Sequence, residues 1–295
     1  MAFSTLLSTA DLAAHLSDPD WAIVDCRFDL ADTGWGEQQY RAAHIRGALY
    51  AHLDRDLSGP KTGTNGRHPL PDIDQFKARL GEWGIGPGVQ VAAYDQDTGM
   101  WASRLWWMLR HLGHEAAAVL DGGLAKWVRE GRETRSGEEH RALTVFVGSS
   151  RPEMVLIPDD IERWRLDPGH LVVDARAPER YRGEQEPIDP VAGHIPGAVN
   201  YFNKNNHNPD GTFLPSERLR AQWLARLGAV PPTKVATYCG SGVAAAHNLL
   251  AMEHAGLSGG KLYPGSWSEW CADPKRPLAS GQEPAVAPLD SSIIL

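Results

Sequence analysis

The chain has 295 residues, of which 42% are hydrophobic and 22% charged, and its formal net charge is −8. That length favours two domains over one, and the composition is that of an ordinary globular protein. The negative balance argues against nucleic acid or an acidic membrane surface as the main partner, and no apolar run approaches the ~20 residues of a membrane span. The three cysteines, Cys26, Cys239 and Cys271, are not closely spaced. They fit neither a disulfide framework nor a zinc site, and they point to a reducing, cytoplasmic setting.

Taken in chain order, Met1 to Leu16 has no basic start and carries Asp11 in an amphipathic pattern. This predicts an opening helix rather than a signal peptide. The blocks that follow recur later in the chain. Asp11-Leu12 and Val24-Asp25-Cys26-Arg27 match Asp160-Ile161 and Val173-Asp174-Ala175-Arg176 at an offset of 149. His44-Ile45-Arg46-Gly47-Ala48 matches His194-Ile195-Pro196-Gly197-Ala198 at an offset of 150. Trp83-Gly84, Pro87 and Val91 match Leu227-Gly228, Pro231 and Val235 at 144, which lays Tyr94-Asp95 on Tyr238-Cys239. Gly122 and Trp127 match Gly265 and Trp270 at 143. The chain is written twice.

The stretch from about Arg132 to Pro152 is polar and lacks clear period, so a linker is placed at 139–153. A first domain of 1–138 precedes it, and a second of 154–282 follows, with a tail of 283–295. In the second half Leu171 to Asp174 predicts a strand and Val199-Asn200 a short one. Ser216 to Leu227 predicts a helix capped by Ser216 and ended by Gly228. Val235 to Tyr238 predicts a strand, Ala245 to Ala255 a helix closed by Gly256, and Lys261 to Tyr263 a last strand before a helix start at Trp267 to Trp270. Such alternation predicts an α/β fold in each half: a mostly parallel central sheet flanked by helices, with ligands bound at the carboxyl ends of the strands.

Cys239 stands at one of those ends, between the Val235–Tyr238 strand and an alanine-rich helix, and is followed by Gly240-Ser241-Gly242-Val243-Ala244. A thiol there faces backbone N–H groups and the positive end of the helix dipole, both of which favour the thiolate. The flanking glycines let amides close around something small and negative, which a merely packed core cysteine does not need. The other half is an internal control: it has Asp95 at this place, in the longer acidic turn Asp95-Gln96-Asp97-Thr98-Gly99. That turn has no sulfur nucleophile and would repel an anion, so one copy reads as reactive and the other as structural.

With these motifs, Gly193-His194-Ile195-Pro196-Gly197-Ala198, Cys239-Gly240-Ser241-Gly242-Val243 and Gly265-Ser266-Trp267-Ser268-Glu269-Trp270, the chain resembles the tandem-domain rhodanese sulfurtransferases over nearly its whole length. The loop is most similar to the 3-mercaptopyruvate branch, since the thiosulfate branch usually has basic residues inside it. The resemblance implies two rhodanese-like domains, the first non-catalytic, with Cys239 accepting a sulfane sulfur as a persulfide. A thiol or cyanide acceptor, a thioredoxin-like reductant among them, would then remove that sulfur, with no metal or cofactor. Amides of Gly240, Ser241, Gly242, Val243 and Ala244 would hold the donor and the persulfide charge.

Further roles follow from the resemblance. Ser241 would help polarise the donor, although its hydroxyl could serve simply as a helix cap. Arg180 falls where the family binds the donor carboxylate, a task suited to a guanidinium fork. A second arginine often follows in that branch, but Glu186-Pro187-Ile188-Asp189-Pro190 offers none. His68 and Asp54 fall where the branch is proposed to complete a relay with Ser241, against the plain alternative of a histidine in a Pro-rich loop. Trp267 reads equally as a pocket wall or a core residue. Ala244 and Pro264 depart from the usual threonine and aspartate. Asp25-Arg27 and Asp174-Arg176 recur in both copies, as do His44 and His194, which argues for fold roles such as strand-end ion pairs.

Three other readings fit these residues less well. With no charge in the Cys239 loop, a mercapto-acid donor is favoured over the thiosulfate dianion. A phosphatase of the Cys-x5-Arg type needs an arginine where Ala245 stands. A purely binding module does not account for Cys239.

Overall fold

The computed structural model describes residues 2–282, so the tail expected at 283–295 lies outside the described residues. Packing divides the chain into two compact units. The first comprises residues up to 61, 68–152 and 207–213, and the second 62–67, 153–206 and the chain from 214 onward. Two short segments, 62–67 and 207–213, are thus each grouped with a different unit from their sequence neighbours.

The first unit runs β1 (Leu6–Leu7), α1 (Thr9–Ala14), β2 (Trp21–Asp25), α2 (Trp35–Ala42), β3 (His44–Ile45), β4 (Ala48–Tyr50), α3 (Ile73–Glu82), β5 (Gln90–Tyr94), α4 (Ala102–His111), β6 (Ala117–Leu120), α5 (Gly123–Arg129) and β7 (Thr134–Arg135). Its main sheet has the order β1-β6-β5-β2-β4, every pair parallel. The opening helix expected over Met1 to Leu16 is shorter than that. Leu6-Leu7 is drawn out as a strand against Val119-Leu120, and Ser8 then starts α1 with a reciprocal capping box to Asp11. The stretch after Arg132 is also less irregular than its composition suggests. Thr134-Arg135 pairs antiparallel with His44-Ile45, and beyond it Arg141 donates to the carbonyls of Trp21 and Pro19 while Phe146 is buried.

The second unit runs α6 (Pro158–Trp164), β8 (Leu171–Asp174), α7 (Pro178–Tyr181), β9 (Val199–Asn200), α8 (Ser216–Leu227), β10 (Val235–Tyr238), α9 (Val243–His254), β11 (Lys261–Leu262) and α10 (Ser266–Trp270). Its sheet has the order β11-β10-β8-β9, again all parallel. Ser216 is not the cap of α8. Pro215 takes that position, and the Ser216 hydroxyl donates to the His254 carbonyl at 2.8 Å. Helix α9 starts at Val243, two residues before the expected start at Ala245, because Gly242 with φ 79° turns the chain directly into it.

The sequence repeat is a repeat of core positions. Leu12, Ile45, Ala48, Ala92, Tyr94 and Trp127 pack together in the first unit, and their equivalents Ile161, Ile195, Ala198, Ala236, Tyr238 and Trp270 do so in the second. A buried polar network recurs with them. Arg27 donates to Asp25 at 2.6 Å and to the Ala43 carbonyl, and the Tyr94 hydroxyl donates to Asp25 and accepts the Ile45 N–H. In the second unit Arg176 donates to Asp174 at 2.7 Å and to the Gly193 carbonyl, and the Tyr238 hydroxyl accepts the Ile195 N–H. His44 and His194 each place Nδ1 on a backbone carbonyl, at 2.8 and 2.7 Å. These are the fold roles expected of residues that recur in both copies. Burying a carboxylate is tolerated here because each one receives a guanidinium fork.

Candidate active site

Cys239 follows the last residue of β10, a strand flanked by β11 and β8 in the interior of its sheet. Its sulfur accepts the N–H of Gly242 at 3.1 Å and of Ser241 at 3.4 Å, in the two residues before α9. The thiol therefore sits in a turn whose amides converge on it, at the positive end of a twelve-residue helix. Cys26 and Cys271 lack such a setting. Burial, reinforced by Asp25, pushes the Cys26 thiol well above its ordinary value, and burial raises that of Cys271 to about 11. Neither is poised to ionise near neutrality.

The start of α10 holds this turn in place. The Cys239 N–H donates to the Ser266 hydroxyl at 3.1 Å, and its carbonyl accepts the Trp267 N–H at 3.0 Å. The Gly240 carbonyl accepts the Ser268 N–H at 3.0 Å. Ser266 has φ 56°, the only positive φ among the described non-glycine residues, and its hydroxyl also donates to the Tyr263 carbonyl. A side chain held in that sparsely populated region marks a position where hydroxyl placement outweighs backbone strain. Trp267 is fully buried with Arg176 stacked 4.9 Å from its ring, so it is part of the core rather than a pocket wall.

Arg180, on α7, stands beside the turn, its Nη2 3.6 Å from where a Cβ on Gly240 would lie. It donates to Glu186 at 2.6 Å and to Asp189 at 3.1 Å. Burial opposes the charge on Glu186, but the hydrogen bond and charge of Arg180 and the N–H groups of Asp189 and Ile188 together outweigh it and keep that carboxyl below its usual range. Sequence reasoning missed a second guanidinium. Arg67, in the segment grouped with the second unit, has Nη2 2.5 Å from the same Cβ position and pairs through Nη1 with Asp189. So the loop carries no cation of its own, as expected, yet it lies beside two. The signal in the sequence was Gly240, whose missing side chain leaves room for them.

Ser241 is buried in the turn, as are Gly240, Gly242 and Val243, while Ala244 is half-buried. Of these residues, Ser241 and Gly242 bond to the sulfur through their amides. His68 and Asp54 belong to the first unit. There His68, buried, has Nε2 3.5 Å from Asp54 Oδ1, and the same oxygen accepts Lys61 Nζ at 2.9 Å. Among the described residues no group of three or more His, Cys, Asp or Glu could hold a metal ion, and no helix is long and apolar enough to cross a membrane.

The equivalent turn of the first unit is closed on itself. Asp95, fully buried, accepts the N–H of Gly99 at 2.8 Å and of Trp101 at 2.7 Å. It does not face outward to repel an anion; its own carboxylate fills the place an anion would take.

A sulfur-bearing copy and a self-filled copy of the same strand-end turn agree with what the chain matches. The rhodanese-like domain family matches residues 8–130 and again 158–273. The chain belongs to the rhodanese family. A Pseudomonas aeruginosa protein named "Probable 3-mercaptopyruvate sulfurtransferase" is 44% identical over 283 residues, spanning 95% of this rhodanese-family chain and 100% of the relative. A Mycobacterium tuberculosis protein, SseB, whose provisional name is a thiosulfate sulfurtransferase, is 36% identical over 286 residues, 94% of this chain and 97% of its own. The solved 3-mercaptopyruvate sulfurtransferase from Leishmania major superposes with a TM-score of 0.80 at 31% identity, covering 90% of this chain and 74% of that one.

Proposed function

We propose that this sulfurtransferase takes the sulfur of 3-mercaptopyruvate onto Cys239 and passes it to a thiol or to cyanide. The observation that carries the reading is the sulfur of Cys239, held by the Ser241 and Gly242 amides beside Arg180. In the first half-reaction the Cys239 thiolate attacks the donor sulfur. The carbon–sulfur bond breaks, its electron pair passes to the pyruvate enolate, and the proton of the donor thiol ends on carbon to give pyruvate. The persulfide charge then lies where the thiolate charge lay, against the same amides and helix end. In the second half-reaction an acceptor thiolate, such as that of a thioredoxin-like reductant, attacks the outer sulfur. The sulfur–sulfur bond breaks and the Cys239 thiolate returns.

Arg180 suits the donor carboxylate through its fork, and the hydroxyl of Ser241 suits the donor carbonyl. Gly240, Val243 and Ala244 would shape the donor site. The first domain, 1–138, serves as the non-catalytic copy, with the second taken as 154–282. His68 and Asp54 lie 3.5 Å apart, and we assign His68 a proton-handling part, to be read from the pH profile of His68→Gln. The three free, buried cysteines suit a reducing setting such as the cytoplasm.

Thiosulfate is the second reading, favoured by two guanidiniums beside a loop that has no cation of its own. Specificity constants for the two donors with cyanide as acceptor decide between them. The expected result is a higher constant for 3-mercaptopyruvate, and a higher constant for thiosulfate reverses the assignment. Intact mass after exposure to donor should show one added sulfur atom, absent in Cys239→Ser. Retained turnover in Cys239→Ser overturns the mechanism.

A further inference from the structure

We infer that Asn206 and Asn248 are positioning residues for the transfer at Cys239, a buried amide pair that holds helix α9 where the Ser241 and Gly242 N–H groups leading into it meet the sulfur. The inference deepens the sulfur-transfer reading of this site and rests on it. The N-terminal half of α9 packs through Val243, Ala245 and Ala246, small side chains that offer shallow ridges to interlock with neighbours. Yet the same turns carry His247 and Asn248, both fully buried. A buried amide costs free energy unless its groups are all paired, and that pairing is directional where an alanine contact is not. A single tie does not set the tilt of a helix. The Thr237 hydroxyl of β10 makes one, to the Ala245 carbonyl at 3.2 Å, and the amide pair supplies the second fixed point.

The bonds of this pair close a circuit on the sulfur. Asn248 Nδ2 donates to the Tyr201 carbonyl at 2.9 Å, and its Oδ1 accepts Asn206 Nδ2 at 2.8 Å. Asn206 Oδ1 accepts the indole N–H of Trp223, on α8, at 3.2 Å, and the Asn206 carbonyl accepts the Leu214 N–H at 2.8 Å. His247 Nδ1 lies 3.5 Å from Asn206 Nδ2 in the same cluster. The Tyr201 ring stacks on Trp223 at 4.1 Å, and the Tyr201 N–H donates to the Asp174 carbonyl at 2.9 Å. Asp174 is in register with Tyr238, the residue before Cys239. From Cys239 the path runs through the ends of β10 and β8, across Tyr201 to Asn248, and along α9 to the Gly242 N–H, which meets the same sulfur at 3.1 Å. Asn248 stands about 9 Å along the helix from Gly242, so a rigid shift at one is a shift at the other. A displacement of about 1 Å there weakens the bonds that hold the thiolate and the persulfide charge.

The test reads the sulfur rather than the fold. Cys239 of the full chain is alkylated with neutral iodoacetamide, and the modified cysteine is identified by peptide mass. In Asn248→Leu and Asn206→Leu the rate near pH 6.5 should fall about fivefold, while the rate near pH 9.5 stays within about twofold of wild type. Trp223→Phe removes only the indole N–H that Asn206 accepts and keeps a ring in place, so it folds where a leucine variant fails; it should show the same pH-dependent loss at about twofold. Leu250→Ala opens a cavity beside a fully buried residue of the same helix that has no part in the network, and it should keep the wild-type rate at both pH values. In turnover the network variants should lose about tenfold in kcat with KM within about twofold, since Arg180 stands on α7. A loss in Leu250→Ala as large as in Asn248→Leu would mean that the pair only adds stability, and wild-type rates near pH 6.5 in all three network variants would mean that its hold does not reach the turn; each overturns the inference. If the pH-dependent loss appears but 3-mercaptopyruvate adds no sulfur to wild-type Cys239, the sulfur-transfer reading fails and the positioning role stands.

Discussion

Asp95 and Cys239 occupy the same place in their respective units, one residue past an interior strand, and both are held by amides of the turn that follows. Asp95 brings its own charge and receives the Gly99 and Trp101 N–H groups at 2.8 and 2.7 Å. Cys239 receives those of Ser241 and Gly242 at 3.4 and 3.1 Å. One duplicated device gives two outcomes because a carboxylate completes it permanently, whereas a sulfur can gain and lose a partner.

Burial pushes Asp95 up to about 6, against the opposing pull of its backbone hydrogen bonds. Its folded value is thus above its unfolded one, so folding takes up a proton in between. The stability tied to Asp95 is therefore full below about pH 4 and is lost as pH rises through about 6, a total on the order of 3 kcal/mol. Urea unfolding of wild type and Asp95→Asn across pH 4 to 7 should show the wild type losing ground steadily relative to the variant. A difference independent of pH would contradict this.

Gly240→Ala should leave the fold intact and damage the site. The new methyl would meet Arg67 Nη2 at 2.5 Å and lie 3.6 Å from Arg180 Nη2. The Arg67 guanidinium would have to shift while Arg180 need not, and with the turn's surroundings disturbed kcat/KM should fall by roughly 10- to 100-fold, about 1.4–2.7 kcal/mol. Steady-state kinetics with a melting curve checks this; a normal specificity constant would mean that the Arg67 guanidinium is not needed where it stands.

Ser266 trades backbone strain for a hydroxyl that holds Cys239. Ser266→Ala keeps the strain and loses the hydroxyl, at about 1–3 kcal/mol. Ser266→Gly loses the hydroxyl but relieves the strain, and should be more stable than the alanine variant by about 1 kcal/mol. Both should slow turnover. Denaturant midpoints measure the order of stability, which is reversed if Ser266 is unstrained.

Arg27→Met and Arg176→Met each leave a buried aspartate unpaired, at a cost of about 3–5 kcal/mol. Their effects on activity should differ. Arg176 also reaches Glu186 at 3.3 Å, and Glu186 holds Arg180, so the second variant should raise the KM for donor. Arg27 bonds to Asp25 and Ala43 in the other unit, and its variant should keep the KM of wild type when assayed below its melting temperature. Equal KM values for the two variants would show that Arg176 is purely structural.

Much of this was legible because it is local. The Asp-x-Arg blocks, the recurring His-Ile-x-Gly-Ala and the aligned Tyr94 and Tyr238 are the residues a parallel strand end needs to bury a carboxylate with its partners. They recur because both units solve that problem in the same way. Cys239 was legible because a thiol between a strand and a helix, followed by glycines, has few other uses. The errors were local too. Leu6-Leu7 is apolar enough to extend a helix pattern, and only pairing with Val119-Leu120 makes it a strand. Ser216 is a good cap by type, but Pro215 enters the helix first.

From sequence alone came the duplication and the parallel α/β architecture, because periodicity and short spacing carry that information; the expectation of a reactive Cys239 came from its place between strand and helix, and that of Arg180 from the family resemblance. Tertiary structure decided what surrounds the sulfur. It turned Asp95 inward, gave Ser266 its hold on the Cys239 amide, and brought Arg67 to Gly240 from a segment far away in the chain. No spacing rule can encode that last contact. It depends on the close backbone approach of Gly66 to Gly265 and on hydrogen bonds through Ser268, which exist only once the chain has folded.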